Sequence, residues 1–511
     1  MKSFSRYFIS VMVSLLVAAV SAVPCRADEP TPKREMRGVW LATVWGIDWP
    51  SVSGTSRTVR ERQQKELRAI LDRCEAVNLT SVFFQVRGMG DVMFDSKVEP
   101  WSSFVSGERG VSPGWDPLQF VVEECHRRGL ECYAWVNPFR WSSGTDYKSL
   151  PDKKWKDKGW LLRYGKYTVF NPGLEEVREH IVGVCREIVT GYDVDGLVFD
   201  DYFYPNRIPE TEEAGDFKLW QSQSPWMTFG DWRRANVHKT IADVHYMLAD
   251  LRPDVRFGIS PAGVAGKSHT SAEKWGMVPS DVKADDWQYN EIYSDPLGWL
   301  YQGTIDFVSP QIYWSSTHQT APYQPIARWW SEAAGLYGCH FYSSVTMAPL
   351  DKSNTQEQRD ELVAQVLFNR EASLTGEFGT VLYSAKFLPK LASDLSASCF
   401  AVKALPPVLR RIGDVAPMQP VGLTMKHGIL SWKAADEGNA SDSSRRQRYV
   451  VYAFPAHLSE DDIMSDDGDG LKSEYIVKVC YGTSAVVPVG MAYAVTTLAG
   501  NAAESASAFL R

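Results

Sequence analysis

The sequence predicts an α/β protein: a (β/α)8 TIM barrel followed by a small all-β, immunoglobulin-like sandwich. Three observations predict it. Short apolar runs alternate with amphipathic helical patterns from residue 36 to about 400, and eight strand–helix units are countable. The longest connections each follow a strand, which gathers them over one end of a barrel. After residue 400 the helical pattern stops, and short alternating strands divided by Asp, Gly and Ser turns replace it.

The elements follow in order. Residues 36–44 read as the first strand. Residues 60–74 read as a helix, with Leu67, Ile70, Leu71 and Cys74 at helical spacing. A strand at 81–86, a helix at 116–128 and a strand at 131–136 come next. The helix at 174–189 puts Val177, Ile181 and Cys185 on one side, ahead of the fourth strand at 195–199. A helix at 232–251 leads to a strand at 255–260. Strands at 305–309, 341–345 and 380–384 complete the eight, separated by helices at 323–336 and 356–371. An open doubly wound sheet is the competing architecture. It does not usually need eight units, and no Gly-rich phosphate loop follows the first strand.

Residues 1–27 read as a secretion signal. Lys2 and Arg6 supply the positive start, residues 8–20 are apolar except for Ser10 and Ser14, and residues 25–27 offer a cleavage site. Lipid attachment at Cys25 competes with this, against a Pro24 where a small residue is wanted. The apolar run is shorter than a spanning helix, so no stable membrane-spanning segment is expected. Export to a bacterial periplasm or outer surface follows. A catalytic domain over 28–405, a linker over 406–420 holding Pro406, Pro407, Pro417 and Pro420, and a sandwich over 421–511 complete the layout.

Composition excludes several classes. The formal net charge is −8 and no long basic patch occurs, which argues against a nucleic-acid partner. Seven cysteines remain beyond Cys25, an odd number in no zinc spacing, so they read as small buried hydrophobes. There is no His-Glu-x-x-His and no Gly-x-Ser-x-Gly. Asp466-Asp-Gly-Asp469 lacks a full calcium-loop pattern and reads as a solvated turn. No metal and no cofactor are expected, and nothing identifies a protein partner.

The segment from Val194 to Pro205 carries the chemistry. An apolar strand ends in Asp200 and Asp201, followed by Tyr202 and Tyr204. Carboxylates at the C-terminal end of a parallel strand suit acid/base work, and nearby aromatic rings suit the flat faces of a sugar. Alternation puts Asp200 on the face of Val198, and Asp201 on the face of Leu197 and Phe199. Asp200 is the expected base or nucleophile. Its partner is open among Asp201, Asp285, Asp286 and Glu99. Other strand ends supply candidate substrate-binding groups. Arg87 is expected to sit over the site, hold an acid ionised and donate to substrate oxygens. Asn137 and Arg140 follow the third strand, and Gln311, Tyr313 and Trp314 follow the sixth. Lys386 follows the last strand and is placed to neutralise a carboxylate.

These stretches resemble the glycosyl hydrolase-like 10 family, bacterial secreted or envelope proteins related to glycoside hydrolases. The likeness covers about residues 33–390. It rests on Arg37-Gly-Val-Trp through Asp48-Trp-Pro50, on Phe84-Gln-Val-Arg87 with Glu99-Pro-Trp101, and on Ala134-Trp-Val-Asn-Pro-Phe-Arg140. Asp195 to Pro205, Phe257-Gly-Ile-Ser-Pro261 and Pro310-Gln-Ile-Tyr-Trp314 complete it. The resemblance implies an O-glycosyl hydrolase and an oligosaccharide or polysaccharide substrate, with peptide-free peptidoglycan strands among the candidates. The fourth strand is also distantly similar to the chitinase-type strand that ends in a catalytic Glu. Tyr202 stands at that place here, so the chitinase mechanism does not simply transfer. The sandwich resembles a fibronectin type III module, with Trp432 on its second strand and Tyr493 on a late one. A non-catalytic, secreted glycan-binding protein is the alternative function.

Overall fold

The computed structural model describes residues 31–142, 153–267, 271–373, 376–413, 416–435, 447–466 and 468–510. The expected signal at 1–27 lies outside the described residues. Eight strands close a barrel: β1 (Met36–Leu41), β2 (Ser81–Arg87), β3 (Glu131–Val136), β4 (Gly196–Phe199), β5 (Arg256–Ile259), β6 (Phe307–Val308), β7 (His340–Thr346) and β8 (Phe378–Tyr383). They pair in chain order, all parallel, and β8 closes on β1.

Among the helices are α1 (Arg57–Ala76), α2 (Pro117–Arg127), α3 (Glu175–Gly191), α4 (Phe229–Leu251), α5 (Pro296–Gln302), α6 (Tyr323–Leu336), α7 (Gln356–Ala372) and α8 (Ala392–Ala397). Helices α1 and α4 begin three residues earlier than hydrophobic spacing suggests. Ser56 and Thr228 set those starts, each accepting from a backbone N–H in the first turn.

Both faces of the strands are buried, which is why they read as apolar runs. One face fills the barrel with Trp40, Phe83, Tyr133, Trp135, Val198, Phe307, Tyr342 and Val381. The other, including Leu197 and Phe199, packs on the helices. Glycines make room for the interior rings. A Cβ on Gly196 would lie 2.1 Å from the Tyr133 ring, and one on Gly258 would lie 2.4 Å from the Phe307 ring.

A small antiparallel sheet, Arg140–Ser142, Leu161–Tyr164 and Tyr167–Phe170, rises after β3. Its strands have three or four residues, too few to impose a readable alternation on the sequence.

The C-terminal module has seven strands: β9 (Val421–Lys426), β10 (Ile429–Lys433), β11 (Arg448–Phe454), β12 (Ile476–Cys480), β13 (Ser484–Val486), β14 (Ala492–Leu498) and β15 (Ala508–Leu510). They form a three-stranded sheet β9-β10-β13 and a four-stranded sheet β12-β11-β14-β15. Leu430 and Trp432 of the first sheet pack with Tyr449, Val451, Tyr493 and Val495 of the second.

This module seals the N-terminal end of the barrel. Glu131, at the start of β3, accepts from Arg256 at 3.0 and 3.1 Å and pairs with Arg448 of β11 at 3.0 Å. Arg256 also donates to the Pro407 carbonyl at 2.6 Å. Lys33 pairs with Glu504 at 2.7 Å, and the Tyr481 hydroxyl donates to Asp195 at 3.2 Å. With this end plugged, the C-terminal end of the strands is left for a substrate. Cys74, Cys125, Cys132, Cys185, Cys339, Cys399 and Cys480 are buried free thiols, as their apolar settings suggest.

Candidate active site

Strand β4 delivers two carboxylates to the open end of the barrel. Asp200 continues the interior face of Val198 and is only 3 % exposed. Its Oδ2 accepts from Trp135 Nε1 at 3.1 Å and Asn137 Nδ2 at 2.7 Å. Its Oδ1 meets none of the geometric hydrogen bonds among the described residues. Burial pushes the Asp200 carboxyl well above the ordinary range, and the charge of Asp201 adds to it. Arg140, the Trp135 indole and the Tyr202 backbone pull the other way. Asp201 is half-buried, and desolvation raises it to about 6 against the opposing pull of a Gln311 hydrogen bond and Arg140.

A polar chain fixes Asp200 from behind. The backbone N–H groups of Thr43 and Val44 donate to Gln85 Oε1, each at 3.0 Å. Gln85 Nε2 donates to Asn137 Oδ1 at 2.9 Å, and Asn137 passes the contact to Asp200. Asn137 is fully buried, so its polar groups serve the protein rather than a sugar hydroxyl. Arg87 does hold an acid ionised, as expected from the sequence, but the acid is Glu99 and no substrate oxygen is within its reach. It is fully buried and grips Glu99 with Nε at 2.7 Å and Nη2 at 2.6 Å. Its Nη1 donates to the carbonyls of Asn137 and Pro138. Arg87 thus shapes the turn that carries Asn137 and is closed to substrate. Glu99 also receives His180 at 2.8 Å. Against the cost of burial, Arg87 and His180 hold it far below the usual carboxylate range, which removes it as a proton donor.

Aromatic rings and one cation form the wall. The Arg140 guanidinium lies 4.1 Å from the Tyr202 ring centroid and 5.1 Å from that of Trp45. Trp45 is 56 % exposed and Tyr202 41 % exposed. Tyr313 stacks on Tyr383 at 5.7 Å. Burial raises the Tyr313 hydroxyl, with smaller contributions from Tyr383, Asp201, Tyr202 and Asp200, so both carboxylates share its surroundings. Gln311 donates to the Ser260 carbonyl at 3.1 Å as well as to Asp201.

Sequence reasoning missed Asp48, Trp45, Trp135 and Tyr383 as parts of this end. Asp48 accepts from Ala42 N–H and the Ser384 hydroxyl, each at 2.7 Å, and from Lys386 N–H at 3.0 Å. Burial raises its carboxyl. Each of the four lies at, or just beyond, the C-terminal part of a barrel strand, and that position was the available signal.

Other expected residues lie apart from the pair. Asp285 is exposed ahead of the short helix Trp287–Glu291. Its neighbour Asp286 is buried, accepting from Gly266 N–H at 2.8 Å and Ser271 at 3.3 Å. Tyr204 is buried, edge-on to Tyr293 at 5.3 Å and beside Arg233. The exposed Lys386 ammonium lies 4.7 Å from the Phe387 ring, and its charge pulls down on Asp48. Trp314 is half-buried, with its carbonyl held by Gln365 at 3.1 Å.

The model of a family described as "Glycosyl hydrolase-like 10" matches residues 35–360, which contain β1 to β7 and every group at the β4 strand end. The chain belongs to the glycosyl hydrolase-like 10 family. The chain is 33 % identical over 431 residues to "Glycosyl hydrolase YngK" of Bacillus subtilis strain 168, covering 82 % of this chain and 81 % of that protein. It is 36 % identical over 317 residues to "Glycosyl hydrolase DigH" of Escherichia coli K12, covering 58 % of this chain and 70 % of that one. Among solved structures, the PgaB (BpsB) glycoside hydrolase domain from Bordetella bronchiseptica aligns with a TM-score of 0.45 at 14 % identity, covering 74 % of this chain and 100 % of that domain.

Proposed function

We propose that this glycosyl hydrolase-like 10 protein is an O-glycosyl hydrolase of a complex bacterial envelope glycan, with peptide-free peptidoglycan strands the first candidate. The observation that carries the reading is the Asp200–Asp201 pair. Two adjacent carboxyls stand at the C-terminal end of β4, both raised, beside a single arginine and under exposed rings. Such a pair gives up its first proton from the more open Asp201 and keeps the second on the enclosed Asp200. In this reading Asp200 protonates the leaving glycosidic oxygen. Ionised Asp201 faces the anomeric carbon, as base toward water or as nucleophile. That moves Asp200 from the base or nucleophile expected from the sequence to the acid, because it is the more deeply buried of the two. Arg140 limits the mutual repulsion while Trp45 and Tyr202 offer faces to sugar rings.

Two finer assignments belong here. The C-terminal module is fibronectin type III-like, supported by Trp432 edge-on to Tyr449 at 5.4 Å and by the Tyr493 hydroxyl donating to the Pro488 carbonyl five residues upstream. The protein is exported, supported by the pattern of residues 1–27. The test is incubation with peptide-free peptidoglycan glycans and a panel of neutral polysaccharides, products being read by mass spectrometry beside Asp200→Asn. Cleavage by the parent but not the variant supports the reading. Binding without cleavage by both replaces it with a glycan-binding protein.

A further inference from the structure

A cavity lies outside the barrel, between α4 and the segment joining β5 to β6. Its volume is about 880 Å³, at the upper end of the range for small-ligand sites. Trp226, Trp275, Asp231, Arg234, His238 and Lys274 line it. Trp226 is 78 % exposed, an unusual position for the largest apolar side chain. Tyr301, 60 % exposed, packs on Trp275 at 5.1 Å and extends the aromatic strip beyond the cavity.

The polar groups are built in rather than loose. Arg234 donates to the Tyr289 carbonyl and to Asp231, each at 2.9 Å, and lies 4.0 Å from the Tyr289 ring centroid. Its Nε has no hydrogen-bond partner among the described residues, and neither has His238 Nδ1. Both residues are nearly enclosed and these two nitrogens are themselves shut off from solvent, so the groups brace the cavity wall rather than face its space. Asp295 fixes Trp275 by accepting its indole N–H at 3.0 Å, and Lys274 stands 4.6 Å from the Trp275 ring. A rigid indole beside fixed polar groups suits a ring with one apolar face and a hydroxylated edge.

Position links the cavity to the site at β4. Trp226 belongs to the connection that begins at Tyr202, and Trp275 to the connection that follows β5. Both connections emerge at the barrel end that carries Asp200 and Asp201. We propose that this cavity is a second carbohydrate-binding site, which holds a distal stretch of the polymer whose nearer sugars occupy the Asp200–Asp201 site. It rests on the glycosidase reading above, and it adds selectivity for long chains over short ones.

The experiment uses the full chain carrying Asp200→Asn, with and without Trp226→Ala. The probes are solubilised peptide-free peptidoglycan strands and a tetrasaccharide cut from them, and binding is read by calorimetry. Trp226 is exposed, so its removal leaves the fold intact. Trp226→Ala is expected to weaken strand binding by about tenfold, the loss of one stacked ring, and to leave tetrasaccharide binding unchanged. In the Asp200 parent the same substitution is expected to slow strand cleavage and spare the tetrasaccharide. Equal strand affinity with and without Trp226 overturns the second site while leaving the glycosidase reading standing. So does a parent that self-associates through Trp226 with no change in glycan binding. A parent that neither binds nor cuts either probe overturns both.

Discussion

Glu99 and Asp200 are buried carboxylates tied to the same asparagine turn, and they are held in opposite ways. Glu99 receives two bonds from Arg87 and one from His180, and is pulled far below the usual range. Asp200 receives only neutral donors, sits beside a second carboxyl and is pushed well above it. Burial costs both groups; what differs is the charge that faces them. The floor of the barrel repeats the Glu99 solution, since Glu131 faces both Arg256 and Arg448. Glu99 and Glu131 are each faced by cations, whereas Asp200 and Asp201 share one arginine. Where the protein leaves two acids to one arginine, it leaves them reactive.

The sharpest break of that contrast is Asp200→Asn, expected to lower turnover by about 10²–10⁴-fold, the usual worth of a general acid or base. Its melting temperature is expected to stay level or rise, because the variant removes a poorly compensated buried acid. Glu99→Gln should do the reverse of this in stability, costing about 3–5 kcal/mol by leaving Arg87 buried without its partner; chemical denaturation reads the loss. Arg448→Met is expected to cost less, about 1–3 kcal/mol, since Arg256 still faces Glu131.

The pH dependence separates the same two groups. Asp201 is raised from 3.8 to about 6, so the folded chain holds more protons than the unfolded one across that window. Its contribution to stability is full below 3.8 and is lost as pH rises through about 6. Glu99 is lowered from 4.5, so its contribution is present above 4.5 and is lost as pH falls toward its folded value. Denaturation of the parent, Asp201→Asn and Glu99→Gln across this range should therefore give difference curves of opposite slope. The smallest effect belongs to the wall. Trp45→Ala is expected to raise KM about fivefold, near 1 kcal/mol of lost ring contact, with kcat nearly unchanged.

The barrel was legible in the sequence because burial on both strand faces leaves apolar runs, and eight of them alternate with helical patterns. The β4 pair was legible for a similar reason: Asp200 and Asp201 interrupt such a run at its end. Partnering was not legible. Arg87 and Glu99 are twelve residues apart across a loop, and nothing local distinguishes a bidentate lock from a substrate clamp. Glu131 and Arg256 are 125 residues apart on two barrel strands, and Arg448 reaches them only because a module docks beneath the barrel. Asp48 lay in the open, but strand alternation says nothing of a carboxylate that turns back to bind Ala42 and Ser384.

The titration of the β4 pair is most directly observed by carbon-13 NMR of aspartate-labelled protein, in the parent and in Asp201→Asn. Two coupled carboxyl signals are expected in the parent, one moving near pH 6 and the other well above the ordinary range. In Asp201→Asn the Asp200 signal should shift to lower pH, because a neighbouring negative charge has gone. Two independent titrations near 3.8 in the parent would contradict the reactive pair.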